Sequence, residues 1–119
     1  MLRCLIVDDN PRFLAAAQGL LERQGVTVVG MVSTPAEALE RAAEQRPDVT
    51  LVDIDLGGES GIELARRLDR ESGLNGLKII LISTHAEEDY ADLIAASPAI
   101  GFISKTNLSA ASIRALLPN

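Results

Sequence analysis

Residues 49–58 read Val49-Thr50-Leu51-Val52-Asp53-Ile54-Asp55-Leu56-Gly57-Gly58, an apolar run that ends in acidic residues and a glycine pair. A strand of this kind can be buried on both faces, as in a parallel sheet. The glycine-rich turn after it would hold Asp53 at the edge of the sheet, open to ligands. Taken alone, the stretch leaves two interpretations open: Asp53 belongs to a ligand site, or Asp53 and Asp55 only begin a turn.

The composition is typical of one α/β domain. The 119 residues suffice to bury a core without disulfides, and 47% of them are apolar with few aromatics, as in helices packed on a buried sheet. We therefore expect a single domain over residues 1–119. Cys4, the one cysteine, lies in an apolar run and is expected to be a small buried hydrophobe, which fits a reducing cytoplasm.

The charge balance and the hydropathy pattern exclude several classes of protein. A net charge of −6 disfavours direct contact with nucleic acid, because phosphate contacts need clustered Lys and Arg. The first apolar run reaches Asp8 too soon for a signal peptide, and no run approaches the roughly 18 residues that span a bilayer. We expect a cytoplasmic domain that contacts neither membrane nor nucleic acid.

Predicted strands and helices alternate five times along the chain, which favours a doubly wound α/β fold: a parallel sheet with helices on both faces. The predicted strands are residues 2–7, 26–32, 49–53, 77–82 and 99–103. The predicted helices begin at Pro11, Pro35, about Ser60, Glu87 and Leu108, and the second, fourth and fifth end at Gln45, Ala96 and Leu117. Residues 72–76 are expected to be a turn-rich loop.

Polar side chains at the helix starts suggest the caps. Asn10 followed by Pro11 predicts the N-cap and the first residue of the first helix. Thr34 and Glu37 have the spacing of a capping box. Asn107 is the predicted cap of the last helix.

The carboxyl ends of the predicted strands carry polar residues, and in a parallel sheet these ends meet at one edge. They are Asp8, Asp9, Asp53, Asp55, Ser83, Thr84 and Lys105. Clustered carboxylates repel one another unless a cation joins them, and oxygen-only ligands favour Mg²⁺ or Mn²⁺ over zinc. With the charge covered, Asp53 could attack phosphorus while Lys105 supplies a positive charge and Ser83 a hydrogen bond.

Each of these residues also has a purely structural explanation. An aspartate pair ahead of a helix favours its N-terminus, a lysine after a strand is usually solvated, and Ser-Thr before a helix is an ordinary cap. A ligand site is favoured only because such polar residues occur together at the carboxyl ends of four predicted strands.

The ordered set Asp8-Asp9, Asp53, Ser83 and Lys105 resembles the receiver domain of bacterial two-component response regulators over essentially the full chain. Ser83 lies 30 residues and Lys105 lies 52 residues after Asp53, as in that family. The resemblance implies a flavodoxin-like fold with a five-stranded parallel sheet in order 2-1-3-4-5 and five flanking helices. It also implies that a histidine kinase or phosphotransfer protein phosphorylates Asp53 in a Mg²⁺-dependent reaction.

The resemblance assigns further roles to single residues. Asp8, Asp9 and Asp53 would hold the metal, and the backbone carbonyl of Asp55 would complete its site. Asp55 would also tune the lifetime of the phosphoaspartate together with His85, although His85 can equally be a solvated loop residue.

The switch residues are likewise implied by the resemblance. Ser83 and Lys105 would contact the phosphoryl oxygens, and Phe102, three residues before the lysine, would change rotamer on activation. The surface from the fourth strand to the last helix would then control an output, and a homodimer is a family-level expectation.

Two departures from the family pattern bear on class and geometry. Gly57-Gly58 stands where the family often has Met-Pro, which should loosen that turn. Thr106 rather than proline follows the lysine, a pattern most like the NarL/FixJ class, whose receivers precede a LuxR-type helix-turn-helix domain. No such output domain lies in residues 1–119, so the chain is expected to be an excised domain or a standalone regulator.

Two other functions compete. Asp53-Ile54-Asp55 also resembles the Asp-x-Asp of haloacid-dehalogenase-type phosphatases, although those usually need a cap and carry acidic metal ligands late in the chain. An unphosphorylated docking module is the third possibility. The leading expectation is a phosphoacceptor that is not an enzyme, beyond assisting its own phosphorylation and dephosphorylation.

Overall fold

A computed structural model describes residues 1–71 and 77–118, without the side chain of residue 71. The predicted loop at residues 72–76 lies outside the described residues. The strands are β1 (Arg3–Val7), β2 (Thr27–Val32), β3 (Val49–Asp53), β4 (Asp55–Leu56), β5 (Glu59–Ser60), β6 (Lys78–Ser83) and β7 (Gly101–Ser104). The helices are α1 (Pro11–Arg23), α2 (Pro35–Gln45), α3 (Gly61–Glu71), α4 (Ala91–Ala95) and α5 (Ala110–Leu116), with 3₁₀ turns at Glu87–Asp89 and Lys105–Asn107.

The main sheet has five strands in the order β2-β1-β3-β6-β7, and every neighbouring pair is parallel. This confirms the predicted 2-1-3-4-5 order, since the short β4–β5 hairpin stands between the third and fourth strands of the sheet. All five residues of β3 are buried, as expected for a central strand covered by helices on both faces.

The side chains of β1 alternate between two separate hydrophobic cores, one on each face of the sheet. Cys4 and Ile6 pack with residues of α1 and α5, whereas Leu5 and Val7 pack with residues of α2 and α3. The Cys4 thiol is fully buried, so the prediction of a small buried hydrophobe is confirmed, and burial raises its pKa to about 12. No helix in the two described ranges is long and apolar enough to cross a bilayer.

The predicted caps of the first two helices are confirmed. The Asn10 side chain accepts hydrogen bonds from the backbone N–H groups of Arg12 and Phe13, at 3.0 and 3.3 Å. Thr34 Oγ1 accepts from the N–H of Glu37 at 3.2 Å, and α2 has the predicted bounds. The Glu37 carboxylate reaches back to the N–H of Ser33 at 3.3 Å, one residue before the cap.

The predicted fourth helix over residues 87–96 is wrong in its first half. The segment begins as a 3₁₀ turn, and α4 starts only after Tyr90, whose φ of −127° is not helical. Tyr90 packs against the core beneath α2 and α3, and its ring meets the His85 ring edge-on at 6.0 Å. Docking of this side chain accompanies the break in the helix.

The predicted start of the last helix is also wrong. Ser109, not Asn107, is the N-cap: its Oγ accepts from the N–H of Ser112, and Ser112 Oγ accepts from the N–H of Ser109, both at 2.9 Å. Asn107 lies instead in the 3₁₀ turn that follows β7.

The glycine pair after β3 closes a hairpin. Asp55 pairs with Ser60 and Leu56 with Glu59 in an antiparallel ladder. Gly57 and Gly58 have φ of 61° and 98°, and two central residues with positive φ are typical of a type I′ turn. The glycines thus supply the backbone conformation that a two-residue hairpin needs, instead of the loosened turn that was predicted.

Candidate functional site

The carboxyl edge of the sheet brings together four side chains from four strand ends. Asp8 follows β1, Asp53 ends β3, Ser83 ends β6 and Lys105 follows β7. Asp8, Asp53 and Ser83 are buried polar residues, exposed by 0%, 6% and 4%. Buried polar groups need partners, so their pairing determines what the edge can do.

Lys105 pairs with both buried carboxylates. Its Nζ lies 2.6 Å from Asp8 Oδ2 and donates a hydrogen bond to Asp53 Oδ2 at 2.9 Å. Burial alone would lower the pKa of Lys105, but the hydrogen bonds and charges of Asp8 and Asp53 outweigh it and raise the pKa above its usual value. The ammonium group therefore carries its full charge at neutral pH.

Asp53 is held from two sides. Besides the bond from Lys105, Asp53 Oδ1 accepts from the backbone N–H of Asp55 at 3.1 Å. Burial raises the pKa of Asp53, the two hydrogen bonds oppose that rise, and the nearby Asp8 charge adds to it. The net direction is upward, so the folded protein disfavours the ionised carboxylate of Asp53.

The backbone beneath Asp53 requires a glycine that the sequence analysis missed. A Cβ at Gly61 would overlap the carbonyl oxygen of Asp53, and the Gly61 N–H donates to the carbonyl of Ile54 at 2.8 Å. Glycine is a poor helix former, so its place as the first residue of α3, directly after Ser60, was the available signal.

Three carboxylates at this edge could hold a cation. Oxygens of Asp8, Asp9 and Asp53 all lie within 4.8 Å of one another. Asp8 Oδ2 is buried, and its ion pair with Lys105 Nζ neutralises only part of the negative charge that the three carboxylates carry. Three carboxylates this close together provide the oxygen donors that a hard cation such as Mg²⁺ prefers.

The side chain of Asp55 takes a different direction. It is exposed, and its Oδ1 accepts from the N–H of Gly58 at 3.5 Å. The group of carboxylates that could share a cation comprises Asp8, Asp9 and Asp53 and not Asp55. The predicted contribution of Asp55 through its backbone carbonyl stays a prediction.

The predicted switch and tuning residues Ser83, His85 and Phe102 lie on β6, just after it, and on β7. Ser83 Oγ accepts from the backbone N–H of His85 at 3.0 Å. The exposed His85 ring turns to Tyr90, with 3.5 Å between Tyr90 Oη and His85 Nδ1. Phe102 is half-buried in β7 and lines an apolar groove of about 490 Å³ between the start of the Glu87–Asp89 turn, β7 and α5.

Phe13 is a second residue that the sequence analysis did not connect with the site. The helical spacing places it only on the apolar face of α1. In the structure its ring lies beneath the ammonium group of Lys105, with Nζ 4.5 Å from the ring centroid. That distance is within the range of a cation–π contact.

The sequence matches the family described as response regulator receiver domain over residues 4–117. The transcriptional regulatory protein LiaR of Bacillus subtilis (strain 168) is 31% identical over 111 residues, which cover 92% of this chain and 52% of LiaR. The chain spans about half the length of the curated relatives it matches.

Two solved structures share the fold. The signal receiver domain of the response regulator NarL from Mycobacterium tuberculosis has a TM-score of 0.80 and 29% identity, covering 97% of this chain and 95% of that one. A response regulator from Burkholderia pseudomallei, with a phosphorylated aspartic acid, a calcium ion and citrate, has a TM-score of 0.83 and 27% identity, covering 100% and 68%. By its sequence match and its fold, the chain belongs to the response regulator receiver domain family.

Proposed function

We propose that Asp53 is the residue of this receiver domain that accepts the phosphoryl group. The observation that carries the proposal is its contact set: Lys105 Nζ at 2.9 Å on one oxygen and the Asp55 N–H at 3.1 Å on the other. A carboxylate fixed in this way beside other acidic oxygens has the positioning that phosphoryl transfer requires.

The metal site in this proposal consists of Asp8, Asp9 and Asp53, with the backbone carbonyl of Asp55. The oxygen-only donor set of three close carboxylates supports Mg²⁺, with Mn²⁺ as a substitute. When bound, the cation supplies positive charge that offsets the repulsion between these carboxylates and an incoming phosphoryl group.

In the transfer step, a carboxylate oxygen of Asp53 attacks the phosphorus of a phosphohistidine. A new O–P bond forms, the P–N bond breaks, and the electron pair stays with the departing imidazole. Lys105 Nζ and the Ser83 hydroxyl contact the equatorial oxygens, where charge accumulates. The Ser83 hydroxyl can donate its proton to a phosphoryl oxygen while its Oγ still accepts from the N–H of His85.

The added charge then acts as a switch. Movement of Ser83 and Lys105 toward the phosphoryl group frees the space around Phe102, which changes rotamer beside the groove it lines. In this proposal Asp55 and His85 tune how long the modification lasts, by meeting the attacking water. The domain assists its own phosphorylation and dephosphorylation in this way.

The surrounding pathway is inferred from the relatives. Receiver domains of two-component regulators interact with histidine kinases, and LiaR is a transcriptional regulator. The proposed setting is cytoplasmic, with a histidine kinase or phosphotransfer protein as donor and an output on transcription through a helix-turn-helix domain outside residues 1–119.

Dimerisation would use the β6–α5 face or the α1 and α5 helices. Direct contact with DNA or membrane is not part of the proposal, and a haloacid-dehalogenase-type phosphatase is not favoured.

Intact-mass spectrometry after incubation with a small phosphodonor and Mg²⁺ tests the proposal. The wild-type domain should gain one phosphoryl group, and the gain should be absent in Asp53→Asn and after chelation of the metal. Asp48→Asn, a surface carboxylate bonded to the N–H of Arg3, is the matched control and should be modified like the wild type. Modification of Asp53→Asn at the wild-type rate would refute the assignment.

A further inference from the structure

The strongest unexplained contact at the site is the aromatic ring beneath the lysine. Lys105 Nζ lies 2.6 Å from Asp8 Oδ2, 2.9 Å from Asp53 Oδ2 and 4.5 Å from the centroid of the Phe13 ring. The side chain of Lys105 is only 11% exposed, so these groups replace most of its hydration. A cation–π contact is stronger where the ammonium group is desolvated.

The Phe13 ring is fixed to the same turn that carries the acidic pair. Asn10 Oδ1 accepts from the N–H of Phe13 at 3.3 Å, while the N–H of Asn10 donates to Asp8 Oδ1 at 2.9 Å. One capped helix start therefore determines the positions of both the Asp8 carboxylate and the Phe13 ring.

We propose that Phe13 is a positioning residue for Lys105, which keeps the ammonium group at the phosphoryl site while its carboxylate partners change. This inference rests on the proposed function. Asp8 would turn to the metal and Asp53 would become an acyl phosphate, so both present partners of Lys105 are altered during the reaction. The ring is neutral, binds neither proton nor Mg²⁺, and offers the same face before and after transfer.

The inference predicts an effect on rate rather than on metal binding. Phe13→Leu retains an apolar side chain of similar bulk but removes the ring quadrupole. We expect the rate of phosphorylation by a small acyl phosphate at saturating Mg²⁺ to fall about three- to tenfold. The Mg²⁺ concentration for half-maximal rate should stay unchanged, because Phe13 contacts no metal ligand in this scheme.

A fluorinated series separates the cation–π contact from packing. Successive fluorination of the Phe13 ring weakens its negative face with little change in volume, so the logarithm of the rate should fall stepwise with fluorine number, and Phe13→Trp should retain the wild-type rate. Leu14→Met is the packing control on the same helix: it perturbs a buried core residue and should leave the rate unchanged.

The possible outcomes distinguish the two proposals. Equal rates for the wild type, Phe13→Leu and the fluorinated proteins would overturn the role of Phe13 and leave the role of Asp53 intact. A wild-type domain that gains no phosphoryl group would overturn both. If the rate instead fell with thermal stability across the series and not with fluorine number, Phe13 would contribute only core packing, and its positioning role would be overturned.

Discussion

The ionised carboxylate of Asp53 is the form that the proposed chemistry needs, but its burial makes that form unfavourable for folding. Burial raises its pKa, the hydrogen bonds from Lys105 and from the Asp55 N–H only partly offset that rise, and Asp8 adds to it. A carboxyl group whose pKa is higher in the folded than in the unfolded state lowers stability wherever it is ionised. A bound cation would reduce this cost, because its positive charge would offset the repulsion between the Asp53 and Asp8 carboxylates.

Asp53→Asn should therefore stabilise the metal-free domain at neutral pH. The unfolded pKa lies near 3.9 and the folded pKa lies above it, so the gain should be fully present above the folded value. As the pH falls through that value, the gain should shrink, and it should vanish below about pH 4, where both states hold the proton. Chemical denaturation of the wild type and of Asp53→Asn in the presence of a chelator, repeated across pH, measures the difference in their free energies of unfolding.

The exposed Asp55 provides the control for this prediction. Asp55→Asn removes a carboxylate outside the metal cluster and should not reproduce the pH-dependent gain. A variant Asp53→Asn that is no more stable than the wild type at pH 7 would contradict the account of the buried charge.

Single residues were predictable from sequence where their role is local. Asn10 and Thr34 cap the helices that their spacing indicated. The roles of Gly61 and Phe13 were not predicted, because each depends on a distance to another element: Gly61 to the Asp53 carbonyl, and Phe13 to the Lys105 ammonium group.

At the scale of elements, the helix with strong signals at its start matched the prediction and the helix with competing signals did not. Helix α2 begins at a proline after a capping threonine and has the predicted bounds. The predicted cap of α5 was Asn107, but Ser109 is also a residue type that caps helices, and the structure has the cap at Ser109. Asn107 lies instead in the 3₁₀ turn Lys105–Asn107.

The assignment of Ser109 as the cap of α5 is testable by mutation. Ser109→Ala removes the acceptor for the Ser112 N–H and should lower the free energy of unfolding by about 1 kcal/mol. Asn107→Ala, in the preceding turn, should change it by less than about half that amount. Urea denaturation compares the two, and an equal or larger loss in Asn107→Ala would restore the original prediction.

At the scale of the whole molecule, the fold explains why distant residues share one site. All five strands of the main sheet are parallel, so their carboxyl ends lie at one edge of the sheet. The site residues come from the ends of β1, β3, β6 and β7. The alternation of apolar runs predicted a doubly wound fold with such an edge. The strand order came from the family resemblance, because apolar runs do not show which strands are neighbours.

The proposed function requires that this edge direct phosphorylation to Asp53 and to no other carboxylate. Borohydride reduces an aspartyl phosphate to homoserine but leaves free carboxylates intact, so reduction after Mg²⁺-dependent phosphorylation, followed by peptide mass spectrometry, identifies the acceptor. We predict homoserine at position 53 alone. Reduction at Asp8, Asp9 or Asp55, or no reduced residue in a domain that has gained a phosphoryl group, would contradict it.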